Sequence, residues 1–139
     1  MTIAIDFDGT IVEHRYPKIG KEIPFAVATL KTLQREGHRL ILWTCREDEL
    51  LDEAVEWCKS KGLEFFATNR DFPECSETPT DGCRKLKCDM FIDDRNLGGL
   101  PDWGVIYEIV HKRMTFADYY QKLYSEEPKK KSFWDRLKH

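Results

Sequence analysis

No apolar run approaches the roughly 18 to 20 residues that a membrane-spanning helix needs; the apolar residues come in short blocks divided by charged stretches. The sequence has no CxxC pair, and its cysteines, Cys45, Cys58, Cys75, Cys83 and Cys88, are odd in number. That argues against a disulfide framework and for reduced thiols. Cys75, Cys83 and Cys88 are irregularly spaced with no evident fourth partner, so a thiolate zinc site is disfavoured. The opening MTIAIDFDGT lacks the basic segment and small-residue cleavage site of a secretory signal. A cytoplasmic protein without membrane association is expected. No internal repeat is visible. With 139 residues, 41% of them hydrophobic, the chain can build one core, whereas a second domain of ordinary size would leave neither half enough buried surface. One domain is expected over residues 1–126, with 127–139 as a basic tail or short helix. The run Lys129, Lys130 and Lys131 reads as a solvated tail in a chain of net charge -3, so nucleic-acid binding is disfavoured.

What the sequence does have is alternation of strand and helix signals. Residues 2–7 (TIAIDF) are largely apolar or β-branched, as in a parallel strand covered on both faces. Pro24 suits the first turn of a helix carrying Phe25, Val27, Ala28, Leu30 and Leu33, with Gly37 as its stop. Residues 38–44 (HRLILWT) read as a second strand. Leu50, Leu51, Ala54, Val55 and Cys58 mark one helix face closed by Gly62. Residues 63–67 (LEFFA) and 88–92 (CDMFI) read as the third and fourth strands, separated by a functional loop at 68–84. Residues 103–107 (WGVIY) read as a short fifth strand, and a helix from about Thr115 to Tyr124 takes Thr115 as its N-cap. The expectation is an α/β fold: a three-layer α/β/α sandwich, Rossmann-like, around a mostly parallel five-stranded sheet. In such sheets ligands bind at the carboxyl ends of the strands.

The reactive residues fall at those ends. Asp6 and Asp8, in Asp6-Phe7-Asp8-Gly9-Thr10, lie where the first strand stops; Thr44 ends the second; Lys85 and Lys87 precede the fourth, which runs into Asp93-Asp94. Four carboxylates in one pocket repel and raise one another's pKa unless a cation joins them. Magnesium suits an all-oxygen set that keeps waters and takes substrate phosphate. Asp6 is then placed to attack phosphorus as a nucleophile, Asp8 to act as acid and base, and Thr44 and Lys85 to bind the equatorial phosphate oxygens. Asp pairs at strand ends are also common turn formers and N-caps. Two such sets at two strand ends favour the chemical reading. Arg46 is either a substrate contact or a solvated helix-start residue, and His14, His38 and His111 read as surface or capping residues.

The order DFDGT, Thr44, Lys85, Asp93-Asp94 resembles the haloacid dehalogenase (HAD) superfamily, whose phosphatases share the DxDGT signature. At average residue usage that signature occurs by chance about once in several hundred chains of this length. The resemblance runs from about Ile3 to Trp103. It implies a magnesium-dependent phosphatase that hydrolyses a phosphate monoester through an aspartyl-phosphate on Asp6. It further implies Asp8 as acid/base, Thr44 and Lys85 as phosphate ligands, Lys85 being preferred to Lys87 for its distance from the Asp pair, and Asp6, the Asp8 carbonyl and Asp93 as metal ligands with Asp94 in support. The intervals Ile11–Ile23 and Thr68–Arg84 are too short for the cap domains of larger members, which resembles the capless subclass. An open site implies a bulky or macromolecular phosphorylated substrate, or a roof supplied by a second copy in a homo-oligomer. His14, Arg15, Lys18 and Lys21 would attract anionic substrates at its mouth. Rival readings are a receiver-like phosphoacceptor domain, a catalytically silent binding module and a phosphotransferase. A receiver is disfavoured because its acceptor ends the third strand, where this chain has Ala67-Thr68.

Overall fold

The strands β1 (Thr2–Ile5), β2 (Arg39–Leu42), β3 (Ala67–Thr68) and β4 (Met90–Ile92) form one sheet in the order β3-β2-β1-β4, and each adjacent pair is parallel. This computed structural model describes residues 1–73 and 85–126. The helices are α1 (Ala26–Arg35), α2 (Asp48–Ser60), α3 (Trp103–His111) and α4 (Phe116–Glu126). Two compact units are distinguished, Met1–Tyr107 and a second beginning at Glu108.

The sheet explains the short apolar blocks. Ala4 pairs with Ile41 and Phe91, and Ile41 with Ala67. Since side chains alternate between faces, this row lies on one side. There Ala4, Ile41, Ala67 and Leu86 form a buried cluster, with Trp43, Phe66, Cys88 and Phe91 packed against it. Ile3, Ile5, Leu40 and Leu42 point the other way and are also buried. A strand buried on both faces has no polar alternation, which is why the pattern of each run is continuous.

In α1, Ala26, Val27, Leu30 and Leu33 are buried. Phe25 is 73% exposed and stands outside the helix in a left-handed conformation, so the helix begins two residues after Pro24. Gly37, at φ +90, ends it by donating its N–H to Gln34 O at 3.0 Å. In α2 the expected stripe is present around buried Ala54 and Cys58, and burial pushes the Cys58 thiol up to about 12. Cys45, Cys58 and Cys88 are free thiols; Cys75 and Cys83 lie outside the described residues.

The fifth strand is a correction: residues 103–107 open α3, and among the described residues the sheet has four strands. The Asp102 carboxylate accepts the Gly104 N–H at 2.8 Å, and the Asp102 carbonyl accepts that of Ile106 at 2.9 Å. Trp103, Ile106 and Val110 are buried at i, i+3 and i+7, which is helical spacing. The third strand is also shorter and later than expected, at Ala67–Thr68 rather than 63–67.

Within the second unit, α4 starts at a reciprocal cap. Thr115 Oγ1 accepts the Asp118 N–H at 3.1 Å while Asp118 accepts that of Thr115 at 2.9 Å. Lys112 and Lys122 both reach Glu108, at 2.7 and 3.2 Å. Residues 127–139, expected as a basic tail or short helix, lie outside the described residues. Among the described residues no helix is long and apolar enough to cross a membrane.

Candidate functional site

The strand order reverses direction at β1. From β1 the chain moves outward through β2 to β3, then returns to lay β4 on the opposite side of β1. A crevice opens at the carboxyl ends of strands at such a reversal. The tips of β1 and β4 are tied there by the Asp6 N–H, which donates to Ile92 O at 3.0 Å. Just beyond, the chain coils tightly. The Phe7 carbonyl receives the N–H groups of Thr10, Ile11 and Val12 at 3.3, 2.9 and 3.2 Å. Gly9 sits at φ +84, and a Cβ there would overlap the Asp94 carboxylate. Glycine is thus required twice, for the backbone angle and for the close approach.

This coil buries Thr10 completely. Its hydroxyl donates to Asp6 Oδ2 at 3.1 Å and accepts the Asp94 N–H at 3.1 Å. The Trp103 indole donates to the Thr10 carbonyl at 3.3 Å. The carboxylates of Asp6, Asp93 and Asp94 are thereby gathered, one oxygen from each lying within 4.8 Å of the others. Asp94 Oδ1 is buried and has no hydrogen-bond partner among the described residues. Burial raises the Asp6 pKa to about 7, with Asp93 and more weakly Asp94 adding repulsion, against the opposing hydrogen bonds of Thr10 and Phe7. Three acids that repel and one orphaned oxygen describe a cradle whose charge a metal ion would balance. The donor set is all oxygen, as hard cations prefer.

Asp8 is not in this cluster. Its carboxylate is held by Arg46, whose Nε donates to Oδ2 at 2.7 Å and whose Nη2 donates to Oδ1 at 2.8 Å. Arg46 also donates to Pro17 O and Lys18 O, both at 3.0 Å. Its guanidinium lies 5.3 Å from the ring centres of both Phe7 and Tyr16. The side chain is 0% exposed, so Arg46 is not the solvated helix-start residue that was one of its two expected roles. Past Tyr16 lies an open depression of about 500 Å³, lined by Tyr16, Cys45, Glu47, Asp48, Glu49 and Leu50.

Thr44 lies two residues past β2. Its N–H donates to Asn69 Oδ1 at 2.8 Å, and its hydroxyl accepts the Arg46 N–H at 3.1 Å. The hydroxyl's own hydrogen has no acceptor among the described residues. Asn69, at φ 53 just past β3, is a supporting residue that sequence reasoning missed. Asparagine tolerates the left-handed region, but one isolated Asn after a strand is a weak signal. Lys85 is exposed, with its ammonium 5.1 Å from the Phe91 ring centre. Among the described residues, no hydrogen bond or ion pair joins it to the acids. Lys87 is exposed too, and its backbone N–H donates to Asp71 at 2.8 Å. His14, Arg15, Lys18 and Lys21 are all exposed. Of the 68–84 loop, residues 74–84 lie outside the described residues.

Fold and site together define a parallel α/β protein with a three-carboxylate cluster, able to hold a metal ion, at the reversal point of its sheet. The chain is similar to a solved structure of a conserved protein from Bacteroides thetaiotaomicron, with 68% sequence identity over 86% of this chain and 97% of that one, and a TM-score of 0.77. It belongs to the same family as that protein. No family model and no curated protein matches it.

Proposed function

We propose that this protein is a magnesium-dependent phosphatase of the HAD type, capless and cytoplasmic, which hydrolyses a phosphate monoester through an aspartyl-phosphate on Asp6. The observation that carries the reading is the Asp6, Asp93 and Asp94 cluster with its orphaned Asp94 oxygen, built by the DFDGT coil at the tips of β1 and β4. Asp6, Asp93 and the Asp8 carbonyl would hold the magnesium, with Asp94 in support. The bound ion would supply positive charge that offsets the acids and draws in the phosphate dianion.

The chain's own residues carry the rest. An Asp6 oxygen attacks phosphorus, and the ester P–O bond breaks with its electron pair leaving on the alcohol oxygen. Asp8 supplies that oxygen's proton when the alcohol needs one, and afterwards takes a proton from the water that attacks the aspartyl-phosphate. The free hydrogen of the Thr44 hydroxyl and the Lys85 ammonium serve the phosphate oxygens, which for Lys85 requires leaving the Phe91 ring. A phosphotransferase would share the first half of this sequence and differ only in acceptor. The receiver alternative loses ground because the tip of β3 carries Asn69, which is engaged with Thr44.

A panel of phosphate esters assayed with magnesium and with chelator, for wild type and Asp6→Asn, tests the reading. Metal-dependent turnover that Asp6→Asn abolishes supports it; turnover retained by Asp6→Asn, or none by wild type on any ester, overturns it. A second copy roofing the open site is part of the proposal, and sedimentation of a monomer at micromolar concentration would remove that part.

A further inference from the structure

Arg46 is the most heavily committed charged side chain near the site, yet it touches none of the three clustered acids. It makes four hydrogen bonds, two to Asp8 and one each to the carbonyls of Pro17 and Lys18. Its guanidinium lies over the rings of Phe7 and Tyr16, and the side chain is closed to solvent. A guanidinium fork that meets both oxygens of a carboxylate fixes that carboxylate's plane as well as its position. It also holds the group as an acceptor on both oxygens, each with a lone pair left over.

We propose that Arg46 is a positioning residue, which locks Asp8 and the Tyr16–Lys18 loop in the arrangement from which Asp8 takes a proton from the hydrolytic water. The inference rests on the phosphatase reading and deepens it by assigning Arg46 to the second half-reaction. In that step a water oxygen bonds to phosphorus and Asp8 receives one of the water's protons. The P–O bond to Asp6 breaks, its electron pair restores the Asp6 carboxylate, and inorganic phosphate departs. The first half-reaction depends less on this lock, above all with an ester whose leaving group departs without a proton.

Arg46→Met keeps length and loses the fork; Arg46→Lys keeps the charge as a single point. The experiment uses rapid mixing of 4-nitrophenyl phosphate and magnesium with wild type and both variants, with acid-quenched intact mass measured in parallel. Folding is checked by circular dichroism and metal binding by Mn2+ titration. For Arg46→Met the expected result is a burst of about one equivalent of nitrophenolate, then steady turnover about 10- to 100-fold below wild type, the range typical for lost supporting contacts. Phosphorylated protein accumulates and Mn2+ affinity changes less than threefold. Arg46→Lys falls between the two; if Arg46→Met does not fold, Arg46→Lys is judged by the same burst. Slower turnover without a burst, or wild-type turnover, overturns the assignment while leaving the phosphatase reading intact. A wild type that neither turns over nor becomes phosphorylated overturns both.

Discussion

The hydroxyl of Thr10 accepts the backbone N–H of Asp94 at 3.1 Å, joining the coil after β1 to the tip of β4 across 84 positions of sequence. The same oxygen donates to Asp6, so one buried group sets the spacing of two acids. Thr10→Val keeps the shape and removes both bonds, leaving the part-buried Asp94 N–H without its acceptor. We predict a loss of about 1–3 kcal/mol, read from urea unfolding, together with weaker divalent-metal binding. A stability unchanged from wild type would deny Thr10 this role.

Gly9→Ala attacks the same spacing from the other side. The left-handed φ of +84 disfavours alanine, and its methyl group would overlap the Asp94 carboxylate. The expected cost is about 1–3 kcal/mol for the strained backbone, with a larger effect on metal binding because Asp94 must move. Calorimetric titration with Mg2+ or Mn2+ should give an affinity at least tenfold weaker; equal affinity would mean that Asp94 has room to spare.

Removing charge at Asp94 separates metal binding from folding. Because its buried Oδ1 has no partner among the described residues, Asp94→Asn forfeits no hydrogen bond at that atom and relieves repulsion on Asp6. The metal-free variant should melt at or above the wild-type temperature, while binding divalent cations about 10- to 100-fold more weakly. A marked drop in metal-free melting temperature would argue that Asp94 is a structural acid.

The Asp6 pKa, raised from 3.8 to about 7, has a definite sign in stability. Between those values the folded chain keeps a proton that the unfolded chain has lost. The stabilisation from neutral Asp6 is thus fully present below pH 3.8 and lost as pH rises through about 7. In chelator, the stability of wild type minus that of Asp6→Asn should fall across this window and flatten above it. Metal binding should run the other way, releasing a proton and tightening up to about pH 7. Thermal melts at a series of pH values, and titrations in buffers of different ionisation enthalpy, measure the two. A difference that stays flat across the window would place Asp6 in a more polar setting.

Much of this architecture is legible in the residues because the cause is local. Strands buried on both faces leave unbroken apolar runs, and DFDGT pairs two acids with the glycine and threonine that its coil requires. Thr115 is readable as a cap from its place before Phe116. Trp103–Tyr107 misleads because five residues sample too little of either period; the helix declares itself only when Ile109 and Val110 are counted and Asp102 is seen as its cap. Arg46 misleads for a different reason. Its partners, Asp8, Pro17 and Lys18, lie 28 to 38 positions away, and no spacing rule encodes a contact made by packing two separate loops. Lys85 stands between these cases, since its place before β4 is readable while the direction of a long exposed side chain is not.

Transfer of a phosphoryl group to Asp6 is the central claim, and it can be weighed directly. Wild-type protein is mixed with magnesium and a phosphate ester, quenched in acid within the first turnover, digested and examined by mass spectrometry. The account predicts one added phosphoryl group on the peptide containing Asp6, absent in chelator and absent in Asp6→Asn. Magnesium-dependent hydrolysis with no phosphorylated peptide at any quench time, or with the group on a residue other than Asp6, would contradict it.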